Sequence, residues 1–322
     1  MTSGTGGPEF RPPNKERLSA WLAGQRWFGG KDRRFEVSSV QHLARLTDEP
    51  VASDIWLVEV TYDDGGQETY QVPLVRHHEW VQQLEHVHVA DDNDARLYDA
   101  LHDKSVTRAW LDGVRRAVDT PVVDERITFH ALPEAAELPD ASSLVMTAEQ
   151  SNTSLVYGGK AILKVYRRIF PGPHPDIELH EVLTRAKSPY IAPLFGWVEG
   201  RWNEQGQEVS GALAMLQEFL PLATDGWQLA LTSVLDLLGE EDLRADEVGG
   251  DFAAESERLG RATAHVHADI AEGLGTIGAI LHHEDAQGRV GRNRIVGDRH
   301  DDHTPLNGRP GPMTERFSGK EQ

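Results

Sequence analysis

Gln150-Ser151-Asn152-Thr153-Ser154 leads into the apolar run Leu155-Val156-Tyr157, and seven residues on comes Ala161-Ile162-Leu163-Lys164-Val165-Tyr166. The β-branched and aromatic content of Thr153–Tyr157 and Ala161–Tyr166 predicts two strands joined by a turn. A lysine in the middle of such a strand is expensive unless something pairs with it, and a phosphate together with a carboxylate supplies that. Gln150–Ser154 carries small hydrogen-bonding side chains. Such a turn presents N–H groups and hydroxyls to a triphosphate without needing glycines. The alternative, a solvent-facing lysine on an edge strand, accounts for Lys164 alone but not for its surroundings.

Those surroundings extend outward in a fixed order. Ser143–Thr147 precedes the pair as a strand, and Ile191–Val198 and Gly211–Phe219 follow it. Between them Asp176–Arg185 reads as a helix behind Pro173 and Pro175, offering Glu178 and Glu181 as carboxylates. Strand, turn, strand, helix and two strands is the order of a protein-kinase-like small lobe. On that reading Gln217-Glu218-Phe219 ends the last strand as a hinge whose backbone faces adenine. Trp227–Leu238 and Phe252–Leu274 then have helical spacing, with an acidic loop at Gly239–Gly250.

Upstream, Met1–Asn14 reads as a loose arm. Glu16–Trp27 reads as a helix closed by Gly29–Gly30, and Lys31–Arg34 as a basic turn. Ile55–Tyr62 and Glu68–Val75 flank Asp63-Asp64-Gly65-Gly66, the pattern of a hairpin. Arg96–Asp112 returns to helical spacing. After Ile277–Leu281 the chain loses both periods, and His282–Gln322 has too little apolar surface to offset its chain entropy.

Composition narrows the function. The 322 residues hold 52 acidic against 32 basic side chains, a formal charge of −20, which disfavours general nucleic-acid and acidic-membrane binding. A nucleotide is still compatible, because backbone N–H groups and one or two cations suffice for its phosphates. With no cysteine, disulfides, thiolate metal sites and a cysteine nucleophile are excluded. No apolar run reaches the length of a membrane span, and the start lacks a signal-peptide core, so a cytoplasmic location is expected.

Other motifs carry less. Gly29-Gly30-Lys31 is not a Walker loop, since Gln25 and Asp32 stand where glycine and a hydroxyl belong. His77, His78, His86 and His88 lack the carboxylate spacing of a metal site and read as surface histidines. His265 and His267 point about 200° apart on a helix, so one of them fills a packing position instead.

Taken in order, several of these motifs resemble bacterial maltokinases. Leu22…Gln25-Arg26-Trp27-Phe28-Gly29-Gly30-Lys31 resembles their N-terminal cap signature, and Glu149–Ser154 with Ala161–Arg168 resembles their phosphate turn and lysine strand. Pro175–His180, Met215–Phe219, Asp225-Gly226-Trp227 and Leu259–His267 resemble the carboxylate helix, the hinge and the first large-lobe helices. The resemblance implies an α+β fold: a cap domain over 1–110, a kinase-like small lobe over 111–223 and a partial helical large lobe over 224–278. A non-family tail, out of frame or unrelated, follows over 279–322. It implies ATP-dependent phosphorylation of maltose to maltose 1-phosphate, feeding α-glucan synthesis, with magnesium as the metal and trehalose synthase as a candidate partner. Ser151, Asn152, Thr153 and Ser154 would then cover the phosphates and Lys164 bind them. Glu178 would fix Lys164, and Gln217, Glu218 and Phe219 would hold adenine. The family's His-Gly-Asp-x-His loop and Asp-Phe-Glu-Gly-Glu-Pro run do not occur, so no catalytic or metal residue is assigned. The alternative is a non-catalytic nucleotide- or partner-binding fragment of that fold. An aminoglycoside phosphotransferase relative is disfavoured by the cap motif.

Overall fold

The computed structural model of the chain describes residues 11–92, 94–146, 151–223, 225–239, 252–274, 283–284 and 290–291. It divides into two units, Met1–Leu274 and Gly275–Gln322. The first opens with α1 (Lys15–Gly24), capped by the Asn14 side chain, which accepts from the Arg17 N–H at 2.8 Å. Strands β1 (Phe35–Thr47), β2 (Ala52–Tyr62), β3 (Gln67–His77), β4 (His88–Asp92) and β5 (Ala95–Asp99) follow, then α2 (Lys104–Arg116). They form a sheet in the order β1-β2-β3-β5-β4. The second sheet takes β6 (Val122–Asp124), β7 (Ile127–Ala131), β8 (Ser143–Met146), β9 (Asn152–Tyr157) and β10 (Ala161–Tyr166). After β11 (Arg168–Ile169) and α3 (Pro175–Arg185) it is completed by β12 (Leu194–Glu204) and β13 (Gln207–Glu218). Its order is β6-β7-β12-β13-β10-β9-β8. Helices α4 (Gly226–Gly239) and α5 (Phe252–Leu274) close the unit. In the second unit a short antiparallel pair, β14 (His283–Glu284) and β15 (Val290–Gly291), is described. The rest of the tail, the 240–250 part of the acidic loop and Met1–Phe10 lie outside the described residues.

The strand–turn–strand–helix–strand–strand order read from the middle third is therefore present, as a kinase-like small lobe behind a cap sheet. Three local readings change. The first helix stops at Gly24 with Gln25 already extended, so Gly29–Gly30 does not close it; Trp27 and Phe28 instead fold back as buried side chains. Gly30 serves close packing, since a Cβ there would meet the Tyr62 hydroxyl and the Phe28 ring. Second, Arg96–Asp99 is strand, not helix. Its pairing with β3 prevails over the Leu97/Leu101 spacing, and the helix begins only after the Asp103 cap, which accepts from Ser105 N–H. Third, Phe35–Thr47 is a thirteen-residue strand with mixed burial and register shifts, an edge pattern that shows no clean alternation in the sequence.

Two cores form. Leu18, Leu22, Trp27, Phe28, Val58, Tyr70 and Val72 fill the cap, under α1. The larger core runs from Leu43, Ile55 and Leu57 of the cap sheet through Trp110, Leu111 and Val114 of α2 to Phe129, Leu155, Leu163, Val198 and Leu216. Helix α2 is thus the slab between the sheets, which is why six of its thirteen residues are buried.

The join between cap and lobe also has a polar part. Directly after β10, Arg167 is fully buried and pairs with Asp99 at the end of β5, Nη2 to Oδ2 at 2.5 Å. Its Nε donates to Thr153 Oγ1 at 2.8 Å, and its guanidinium lies 4.5 Å from the Trp27 ring centroid. Beside it Gln71 Nε2 donates to the Tyr166 and Leu213 carbonyls at 2.9 and 3.0 Å. Removing one member of a buried pair strands the other charge. Asp99→Ala is expected to lower unfolding free energy by about 3–5 kcal/mol in urea titration. Asp99→Leu combined with Arg167→Met should recover most of that loss, which a purely steric role for Asp99 would not allow.

Candidate functional site

Strand register sorts the candidate residues by face. Ser154 lies directly opposite Lys164, Lys164 opposite Met215, Met215 opposite Trp197 and Trp197 opposite His130. Opposed residues point to the same side of a sheet, so these five form one row across it. The next row along carries Val156, Ile162 and Gln217. Lys164 and Gln217 therefore share a face, and Thr153, Leu163 and Leu216 point to the other, toward the main core.

Helix α3 lies over the lysine face. At its start His174 caps it by accepting from Asp176 N–H and stacks on Tyr166, ring centroids 4.1 Å apart and 17° from parallel. Near its end Thr184 Oγ1 accepts from Leu194 N–H at 2.8 Å. Ile177, Glu181 and Thr184 fall on this side at helical spacing, whereas Glu178 is exposed on the next. Among the described residues no ion pair joins Lys164 to either carboxylate. Glu181 is held by Arg185 at 2.7 Å. The expectation that Glu178 fixes Lys164 is thus not met by the geometry: the carboxylate on the sheet side is Glu181. Lys164 itself is half-buried and unpaired.

The turn and the hinge shift as well. Strand β9 begins at Asn152, so Ser151 and Asn152 lie at the turn, while Thr153 and Ser154 are buried inside the sheet. The Thr153 hydroxyl is committed to Arg167, which places it in the join to the cap and away from a phosphate. Gln150, also assigned to this turn, lies outside the described residues. At the hinge, Glu218 N–H donates to the Pro193 carbonyl and Phe219 N–H to that of Lys160, both at 2.9 Å. Leu220 supplies the first hinge N–H that has no partner among the described residues. Gln217 Oε1 is buried without a hydrogen-bond partner. Glu181 stands beside Glu178 as a candidate carboxylate in the sequence, and Leu220 directly follows the hinge residues; what the sequence does not show is which way the helix and the strand turn them.

Other histidines find local partners. His77 Nε2 bonds Asp103 Oδ2 at 2.8 Å, and His88 Nε2 bonds Asp91 at 3.2 Å; both are mostly buried, unlike the surface placement expected of them. His265 is exposed but stacks on Tyr190 at 5.5 Å, the contact that helps seat α5 on α3. Among the described residues no group of three or more His, Asp or Glu side chains is disposed to hold a metal, so no step is routed through magnesium. No described helix is long and apolar enough to cross a membrane.

Fold and face together define an α+β chain with a kinase-like small lobe whose unpaired lysine faces a helix and a hinge. Residues 21–103 match the family described as the maltokinase N-terminal cap domain. Among solved structures it is similar to a glucosamine kinase in complex with glucosamine, ADP and inorganic phosphate, at 20% identity and a TM-score of 0.46. That match covers 81% of this chain and 52% of the other. A second crystal form of glucosamine kinase matches at 19% identity and a TM-score of 0.47, covering 81% and 52%. The chain spans about half the length of these kinases.

Burial pushes His174 below the ordinary histidine value, with Asp176 acting weakly the other way; burial does the same to His102. A histidine that resists protonation when folded takes up protons more readily when unfolded. Its contribution is therefore complete above about pH 6.5 and is lost as pH falls toward the folded value. The urea midpoint should fall as pH is lowered through that range. The slope should shrink in His174→Asn, which puts an amide oxygen in place of the capping Nδ1, and an unchanged slope would clear His174 as its source.

Proposed function

We propose that this chain is the nucleotide-binding part of an ATP-dependent sugar kinase of the maltokinase type, with Lys164 as the cation for the nucleotide phosphates. The observation that carries the reading is the state of Lys164: half-buried, in register with Ser154 and Met215, on the face where His174 at the start of α3 stacks on Tyr166, and without an ion pair among the described residues. A desolvated ammonium lacking a counter-charge is costly, and a phosphate relieves that cost. Ser151 and Asn152 at the turn stand ready to donate to the phosphates, and the hinge beyond Gln217 to receive adenine.

In the reaction this family reading implies, the γ-phosphoryl group passes to the anomeric hydroxyl of maltose, giving ADP and maltose 1-phosphate. The P–O bond to the β-phosphate breaks, the bond to the sugar oxygen forms, and the hydroxyl proton must leave to a base. No described residue is assigned as that base, so the role proposed for this chain's residues is to bind and orient the nucleotide. The second reading, a non-catalytic module that binds nucleotide or docks on trehalose synthase, shares the site and differs only in turnover. The exposed apolar side chains of α4, among them Trp227 at 70% and Leu238 at 67%, favour a docking role for that segment.

Equilibrium dialysis with ATP tests the shared part: Lys164→Met should weaken retention about tenfold or more while thermal unfolding is unchanged or raised. Equal retention by the variant would remove Lys164 from this role. ADP release that depends on added maltose separates the enzyme from the binding module.

A further inference from the structure

Gln217 is the last residue but one of β13 and lies on the lysine face, opposite Ile162 and one row along from Lys164. Its Oε1 is buried and has no hydrogen-bond partner, whereas the backbone on either side of the hinge is spoken for as far as Phe219. A buried acceptor without a donor destabilises a fold, and in native structures such a group calls for a reason. Among the described residues it is the one orphaned side-chain atom in the strand that faces Lys164. Where the strand ends, the Glu218 carbonyl and the Leu220 N–H stand two residues apart, an acceptor followed by a donor.

Resting on the nucleotide reading above, we infer that the Gln217 side chain selects the base, accepting a hydrogen bond from the exocyclic amine of a 6-aminopurine. The chemistry is specific. An adenine amine carries two N–H bonds, one for the Glu218 carbonyl and one for Gln217 Oε1, while the ring nitrogen beside it accepts from Leu220 N–H. A 6-oxopurine presents an acceptor at that point, which meets two further acceptors and leaves both without donors. The terminal amide torsion of glutamine is broad, so the oxygen can turn toward the ligand at little cost. Gln217 is thus a specificity-determining residue whose acceptor goes unsatisfied in the empty protein and is completed by the base.

Binding of ATP, inosine triphosphate and purine riboside triphosphate, which lacks the 6-substituent, to the full chain and to Gln217→Met forms a thermodynamic cycle that needs no turnover. The wild-type chain should prefer ATP to purine riboside triphosphate by roughly three- to tenfold. That preference should shrink in the variant to the part the Glu218 carbonyl still supplies, and the variant's thermal midpoint should stay the same or rise because the orphaned oxygen is gone. An undiminished preference in a folded variant overturns the inference, and so does a wild-type chain that binds ATP and the inosine nucleotide alike. If the wild-type chain retains none of the three, the nucleotide reading fails first. Retention without discrimination defeats the base-reading role alone.

Discussion

The ion pair between Arg167 and Asp99 is the constraint around which the two sheets are arranged. Arg167 follows the lysine strand without a break, and Asp99 ends the cap strand that leads into α2. A guanidinium with no solvent exposure needs a fixed carboxylate, and it recruits Thr153 and the Trp27 ring as further support. Because Thr153 sits on β9 and Arg167 just beyond β10, one side chain fixes the spacing of the strand that follows the Ser151–Asn152 turn and the strand that carries Lys164. Gln71 closes the same junction through two backbone carbonyls, so β3 and β13 are also tied. The Gln25–Lys31 motif acquires a physical meaning here. It ends the first helix early and throws Trp27 over Arg167, with Phe28 packed on Tyr70 at 5.1 Å between ring centroids.

Around that junction the cap is stiffened by hydroxyls that share a carboxylate. Tyr62 and Tyr70 both donate to Glu68 Oε2, at 2.6 and 2.5 Å, and Arg168 approaches the other oxygen at 3.3 Å. Burial together with Glu68 pushes the Tyr62 hydroxyl up to about 12, and that of Tyr70 higher still. Both phenols therefore remain protonated donors well above neutral pH. Gly30 fits the same arrangement, since any side chain there would displace the Tyr62 hydroxyl from Glu68.

The element order of the small lobe was legible because alternation and turn chemistry report directly on strands, and Lys164 stood out as a charge in an apolar run. What the sequence left hidden is direction. Thr153 and Ser154 have the composition of a phosphate turn, but one residue of strand extension buries both hydroxyls. Glu178 and Glu181 look equivalent in sequence; helix rotation sends the first to solvent and brings the second over the sheet. Arg96–Asp99 has apolar spacing compatible with a helix, and only the distant partner strand β3 decides for strand. Arg167 was visible as a family residue, yet its partner lies 68 positions away, beyond any local pattern.

The polar groups of the first unit thus fall into two kinds. At the cap junction Arg167 Nε and Nη2 and Gln71 Nε2 find partners from distant parts of the same chain and fix a geometry, although Arg167 Nη1 and Gln71 Oε1 stay without a hydrogen bond among the described residues. Lys164, Leu220 N–H and Gln217 Oε1 lie on the other side of the small-lobe sheet or at its hinge, and the described chain supplies none of them with a counterpart. Glu181 is on the sheet side of α3, yet its carboxylate is turned to Arg185. The carboxylate is drawn off and the ammonium left open. A fold that uses a buried ion pair to fix the strands behind Lys164 and leaves the groups in front of it unsatisfied carries local conflict at one face. Such conflict concentrates where an outside partner is to be bound.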